Sequence, residues 1–138
     1  YFNTYPGIRR YMDETIKNAR ENGYVETLYK RRRQTMNLSS SNKNLVHAAE
    51  RAAINMPIQG TAADLIKIAM INIHKRMYSE NYKSKMILQI HDELLFECPE
   101  TEIEDFAAMI QQEMESALHL SVPLKVEWDY GKSWYEAH

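Results

Sequence analysis

MILQIHDELLFE, residues 86–97, splits two short apolar runs with three polar side chains, and its reading decides the fold. Residues 86–90 precede His91, Asp92 and Glu93, and residues 94–96 follow. Apolar runs this short, bounded by polar residues, predict two buried strands that meet at the triplet. Strand alternation puts Met86, Leu88 and Ile90 on one face and Ile87, Gln89 and His91 on the other. Asp92 then returns to the first face, at the edge of the core. Burying a carboxylate is costly unless a cation or donor meets it. Two adjacent carboxylates at a tight turn can hold a hard divalent cation, with waters completing the shell. One Asp and one Glu rarely suffice, because two-metal phosphoryl-transfer centres usually take carboxylates from separate strands. Spacing alone favours a solvated acidic hairpin tip and leaves a metal site with missing ligands as the alternative.

Working outward, the flanks predict an α+β chain: an antiparallel sheet with helices packed on one face, plus a small basic hairpin. Pro6 suits the first turn of a helix whose apolar stripe is Ile8, Met12, Ile16 and Ala19, and Gly23 supplies its stop. Residues 24–34 predict a two-stranded hairpin with Tyr29 and Lys30 near its tip, and residues 35–44 a polar loop. From Leu45 to about Tyr82 the pattern is helical, with a kink or break expected near Pro57 and Gly60. After the acidic turn, Thr101 and Glu104 predict a capping box for a helix that buries Ile103, Phe106, Ala107, Ile110 and Met114. Leu124, Val126, Trp128 and Tyr130 alternate with polar residues, as in a further half-buried strand.

At 138 residues, with 44% hydrophobic and 26% charged residues, the composition is that of one globular domain without an internal boundary. No stretch has the length of a membrane span, so no membrane partner is expected. Cys98 is the only cysteine, which excludes an internal disulfide and agrees with a reducing, cytoplasmic setting. Residues 1–78 hold 13 Lys/Arg against 6 Asp/Glu, whereas residues 79–138 hold 4 against 13. A polyanion facing the first half fits that imbalance, as do charges spread over unrelated solvent faces.

Two basic or polar sets could meet such a polyanion. Arg51, Asn55 and Gln59 recur every four residues, so on a helix they form one ridge. They are either the wet face of an amphipathic helix or a donor row for an extended ligand such as a duplex minor groove. Arg31, Arg32 and Arg33 make a cluster suited to phosphates, although a solvated hairpin tip is the commoner reason for one. His47, His74, His119 and His138 have no metal-ligand spacing and are assigned no chemistry.

Taken in order, YFNTYPGIRRYMDET, GYVETLYKRRR, AERAAINMPIQGTAADLIKIAM, ILQIHDELLFE and WYEAH resemble the C-terminal part of the bacterial family A DNA polymerases, over nearly the whole chain. The ERAAIN, QGTAAD and HDE stretches carry most of the specificity. The resemblance implies a polymerase palm that works in DNA replication and repair. Asp92 would be one of two catalytic, metal-coordinating aspartates, and Glu93 an acidic neighbour supporting two Mg²⁺ ions. His91 would lie beside the primer terminus, and Arg51, Asn55 and Gln59 on the minor-groove side of the primer–template. The partners implied are primer–template DNA, dNTPs and upstream segments of the same polypeptide, including a second aspartate-bearing strand.

The chain departs from that pattern at Lys30, where a glycine is usual, and at residues 34–38, QTMNL. Without the upstream segments the isolated chain is expected not to polymerise, and an uncovered sheet edge favours self-association. Three rivals stand beside this expectation: a non-catalytic duplex-DNA-binding module, a metal-dependent nuclease and the palm of a related single-subunit RNA polymerase.

Overall fold

The computed structural model describes residues 3–137; the expectations touching Tyr1, Phe2 and His138 lie outside the described residues. The architecture is α+β, with four α-helices and two antiparallel two-stranded sheets among the described residues. The chain divides into two units, up to Asp64 and from Leu65 onward. The division falls inside a helix, where no linker composition could mark it.

In the first unit, Pro6 opens helix α1 (Pro6–Asn22) at its first position, where its missing N–H costs nothing. Gly23 closes it in the left-handed region at φ 83°, and its N–H donates to the Ala19 carbonyl at 2.8 Å. Strand β1 (Tyr24–Glu26) then pairs with β2 (Arg32–Gln34), with Val25 opposite Arg33 and Glu26 opposite Arg32. The core here is Ala19, Val25, Leu38, Ala53 and Met56. Leu38 anchors the otherwise polar loop into it, and the Tyr11 hydroxyl ties α1 to the Ile54 carbonyl at 3.2 Å.

Helix α2 (Lys43–Ser79) runs through Pro57 without a break, so of the kink or break expected there the break is corrected. Proline removes one backbone donor and crowds one carbonyl, which favours a break only where little else holds the helix. Here alanines at 48, 49, 52, 53, 62 and 63 favour helix on both sides, and Ala53 and Met56 are packed.

The second unit contains the acidic turn. Strands β3 (Lys85–Ile90) and β4 (Glu93–Glu97) form a ribbon whose last pair is Ile90 with Glu93, which leaves His91 and Asp92 as a two-residue turn. His91 has φ 54°, the left-handed geometry such short turns require. Expected alternation fails at one point. The register passes from Met86 opposite Phe96 to Leu88 opposite Leu95, so Ile87 is an extra residue, as in a β-bulge. Opposed residues share a face. Met86, Leu94 and Phe96 therefore meet the core, while Leu88, Ile90 and Leu95 turn to the other face with Glu93.

Helix α3 (Ile103–Ser116) covers the core face, with Phe106 and Met109 packed on Ala69 and Ile73 of α2. The Phe106 ring meets Phe96 edge-on at 5.2 Å and Tyr82 at 5.1 Å. The strands are not buried as expected, since Ile87 and Leu88 are 55% and 44% exposed. A ribbon with helices on one face leaves its other face open.

Two more expectations are corrected. Residues 117–133 contain no assigned strand, although Leu124 and Val126 are half-buried between exposed Lys125 and Glu127. Glu115 accepts the Val126 N–H and Gln111 donates to the Val126 carbonyl, both at 3.0 Å. The alternation thus marks an extended segment held by α3 side chains rather than by a neighbouring strand. Trp128 stacks on Tyr130 at 6.1 Å, and a short helix α4 (Trp134–Ala137) follows.

No capping box forms at Thr101 and Glu104, for a 3₁₀ turn (Glu100–Glu102) leads into α3 without a side-chain cap. Glu102 instead accepts the amides of Lys83 and Ser84 and the Ser84 hydroxyl, the last at 2.6 Å. The Ser84 hydroxyl first, then these amides, hold its carboxyl below the ordinary glutamate value. A lowered folded-state pKa stabilises above the unfolded value and ceases to do so as pH falls through the folded one. Glu102→Gln should therefore lower the denaturation midpoint at neutral pH, with the gap to the parent closing as the pH is taken down into the acid range. A gap that stays constant across that titration would show that the charge contributes nothing.

Candidate functional site

The acidic turn presents Asp92 and Glu93 at the end of the β3–β4 ribbon, and both are exposed, as is His91. The desolvation cost raised by the sequence therefore does not arise. Gln89 donates its side-chain amide to the His91 carbonyl at 3.2 Å, which fixes one side of the turn. Among the described residues no group of three or more His, Cys, Asp or Glu stands together as a metal cluster. What the turn offers is two neighbouring oxygen donors open to solvent. That set suits a hard cation that keeps waters and takes further oxygens from a phosphate ligand.

The first unit presents the polar ridge. Arg51, Asn55 and Gln59 are all exposed on α2, while Ala53 and Met56 between them are buried. Their four-residue spacing on one unbroken helix makes a single outward row. Ile58 beside it is 59% exposed, so the row is not uniformly polar.

The arginine cluster is less uniform than its sequence suggests. Glu26 lies directly across the ladder from Arg32, with its carboxylate 3.7 Å from the Arg32 guanidinium, which also sits 4.2 Å over the Tyr24 ring. Arg33 lies opposite Val25, hence on the other face of the hairpin, and is exposed. Arg31 keeps half its side chain exposed but is turned toward α2, with Nε donating to Asp64 at 2.8 Å and Nη2 to the Gly60 carbonyl at 3.4 Å. The three arginines thus serve three directions.

Sequence reasoning missed the partners of that hairpin. Thr27, Thr61 and Asp64 are buried polar residues, and Thr61 accepts the Leu28 N–H at 3.0 Å while its own hydroxyl donates to the Pro57 carbonyl. Burial first, then the Asp64 carboxylate, pushes the Tyr29 hydroxyl above its ordinary value. The available signal was Asp64 itself, an acid set among Ala, Leu and Ile on the packed side of a helix.

In the second unit Arg76 bridges two helices. It donates to Glu80 at 2.6 Å and to Glu113 and Gln112 at 3.0 Å, and the hydrogen bonds from Glu80 and then Glu113 push its pKa upward. This is a brace on the helix pair rather than a reactive group. No helix among the described residues is long and apolar enough to cross a membrane.

A sequence model of DNA polymerase family A matches residues 1–136. The DNA polymerase I of Streptococcus pneumoniae strain TIGR4 is 50% identical over 137 residues, and that of Bacillus subtilis strain 168 is 45% identical over 137. The DNA polymerase I of Caldicellulosiruptor bescii is 48% identical over 136 residues. Each alignment covers 99% of this chain, which spans only 16% of the length of these curated relatives. The solved POL domain of Pol1 from M. smegmatis, in complex with DNA primer-template and dNTP, matches with a TM-score of 0.96 at 44% identity. That match covers 99% of this chain and 24% of the other.

Proposed function

This chain belongs to DNA polymerase family A, and from that premise we propose that it forms most of the palm of a DNA-directed DNA polymerase, as a single partial domain of the whole enzyme. The reaction is template-directed: the primer 3′ hydroxyl attacks the α-phosphorus of a dNTP and pyrophosphate leaves. The observation that carries this reading is the pair of exposed acids adjacent in sequence, Asp92 in the two-residue turn and Glu93 at the start of β4.

In this reading Asp92 and Glu93 hold Mg²⁺, which when bound stabilises the attacking and leaving oxygens. Oxygen-only donors in open solvent fit that ion, because it retains waters and shares its shell with substrate phosphates. His91, pinned at its carbonyl by Gln89, lies beside the primer terminus. Arg51, Asn55 and Gln59 donate to the minor-groove edge of the primer–template, where the acceptors of A·T and T·A pairs look alike and reading is largely sequence-tolerant. Arg32 and Arg33 meet phosphates, which supply affinity without sequence preference.

A fluorescence-anisotropy titration with a duplex primer–template tests the DNA part of this reading. Affinity should fall steeply with salt, and Arg33→Ala should flatten the log–log salt slope by about 0.9, because one phosphate fewer is neutralised. Gln59→Ala, which removes a groove hydrogen bond, should weaken binding with the slope retained. Binding that ignores salt, or no binding at all, overturns the reading.

A further inference from the structure

Gln59 faces outward, yet Gly60, Thr61 and Asp64, which follow it, all serve the basic hairpin. A Cβ on Gly60 would lie 2.8 Å from the Thr27 methyl and 3.3 Å from the Arg31 guanidinium, so any larger residue there would push the hairpin away. One residue on, Thr61 takes the Leu28 amide at 3.0 Å. Asp64 is 8% exposed and receives the Arg31 Nε at 2.8 Å, the cation that a carboxylate so placed requires. The tip is closed from within as well. Thr27 accepts the amides of Tyr29 and Arg31 on its hydroxyl, each at 3.2 Å, and exchanges backbone bonds with Lys30 and Arg31.

We propose that Arg31 and Asp64 are positioning residues: their ion pair, with the Thr61 hydroxyl, locks the hairpin to α2 so that Arg32 and Arg33 meet phosphates in fixed register with the row of Arg51, Asn55 and Gln59. This rests on the nucleic-acid reading above and changes the part Arg31 takes in it. Arg31 spends its guanidinium on Asp64 and Gly60 rather than on DNA. The lock also accounts for a buried acid beneath a basic hairpin.

The sign of one substitution separates this from simple charge. Asp64→Asn removes a negative charge, so electrostatics alone would tighten DNA binding. Loss of the lock weakens it instead. On the purified protein, Asp64→Asn and Arg31→Gln should each weaken primer–template affinity about tenfold, the scale of one charged hydrogen bond. The double variant should be no weaker than either single one. Thr61→Val, which removes the Leu28 and Pro57 hydrogen bonds but leaves the ion pair, should shift affinity the same way and serves if Asp64→Asn fails to fold.

Amide hydrogen exchange supplies a readout without DNA. Leu28 and Arg31 should lose protection in Asp64→Asn while the global denaturation midpoint holds. Unchanged or tighter DNA binding by Asp64→Asn or by Thr61→Val overturns the proposal. A parent protein that binds no DNA overturns the nucleic-acid reading first, and the amides then judge the lock by itself.

Discussion

Asp92→Ala is expected to lower nucleotide incorporation by about a thousandfold or more in the full-length polymerase proposed above, a barrier change of about 4 kcal/mol. The same substitution should leave primer–template affinity within about threefold, because the proposed phosphate and groove contacts come from other residues. Asp92 is exposed on a two-residue turn, so its truncation costs little stability, of order 0.5 kcal/mol or less. A lost rate with kept binding and kept fold therefore reports chemistry. Single-turnover primer extension beside anisotropy measures both terms. The isolated 138 residues should extend no primer in that assay, since two-metal centres usually draw carboxylates from separate strands. Full activity of Asp92→Ala would remove the catalytic reading and leave a DNA-binding module. DNA degradation in Mg²⁺ that disappears in Asp92→Ala would point to a nuclease.

Phe106→Ala is the second large effect, an expected loss of about 3–5 kcal/mol in the unfolding free energy. Phe106 is 2% exposed and touches both the β3–β4 ribbon, through Phe96, and the segment that joins α2 to it, through Tyr82. Its truncation removes two aromatic pairings and opens a void between elements that cannot collapse independently. Against a net stability of about 5–15 kcal/mol, that is enough to unfold much of the population of a marginal chain. Tyr78→Ala, at an 86% exposed site on α2, should stay within about 0.5 kcal/mol. Urea denaturation of both variants checks the contrast. Equal midpoints would mean that Phe106 is not central to this core.

What the sequence made legible was local. Gly23 as a helix stop, a tight turn within the triplet His91, Asp92 and Glu93, and the spacing of Arg51, Asn55 and Gln59 each depend on residues within a turn or two of one another. What it hid was set by distant partners. Arg31 finds Asp64 33 residues later, and no pattern around KRRR announces that one of its arginines turns inward. Val126 sits in a segment that alternates like a strand, yet α3 side chains 11 and 15 residues away satisfy its backbone. Pro57 misled for the opposite reason. A local breaker was outweighed by alanine on both sides and a packed face.

Lys30 joins the two scales. It stands where a glycine is usual in the resembling family, and its φ of 69° is one that glycine adopts freely. A lysine there costs about 1–2 kcal/mol of backbone strain. The bonds around Thr27 hold the tip in that geometry regardless.

The extra residue at Ile87 bears on how such chains can diverge. Side chains on a strand have a period of two, so one residue more or less before the turn rotates all that follows to the opposite face. Replacing Ile87 by another residue would leave Glu93 aimed as it is, on the side of Leu88 and Leu95. Deleting it would restore a regular ladder, with Met86 opposite Phe96 followed at once by Leu88 opposite Leu95, and would keep Leu88, Ile90 and Glu93 on their present face. Descent can therefore rewrite or lose this one residue, whereas a residue lost elsewhere in β3 would invert the acidic turn.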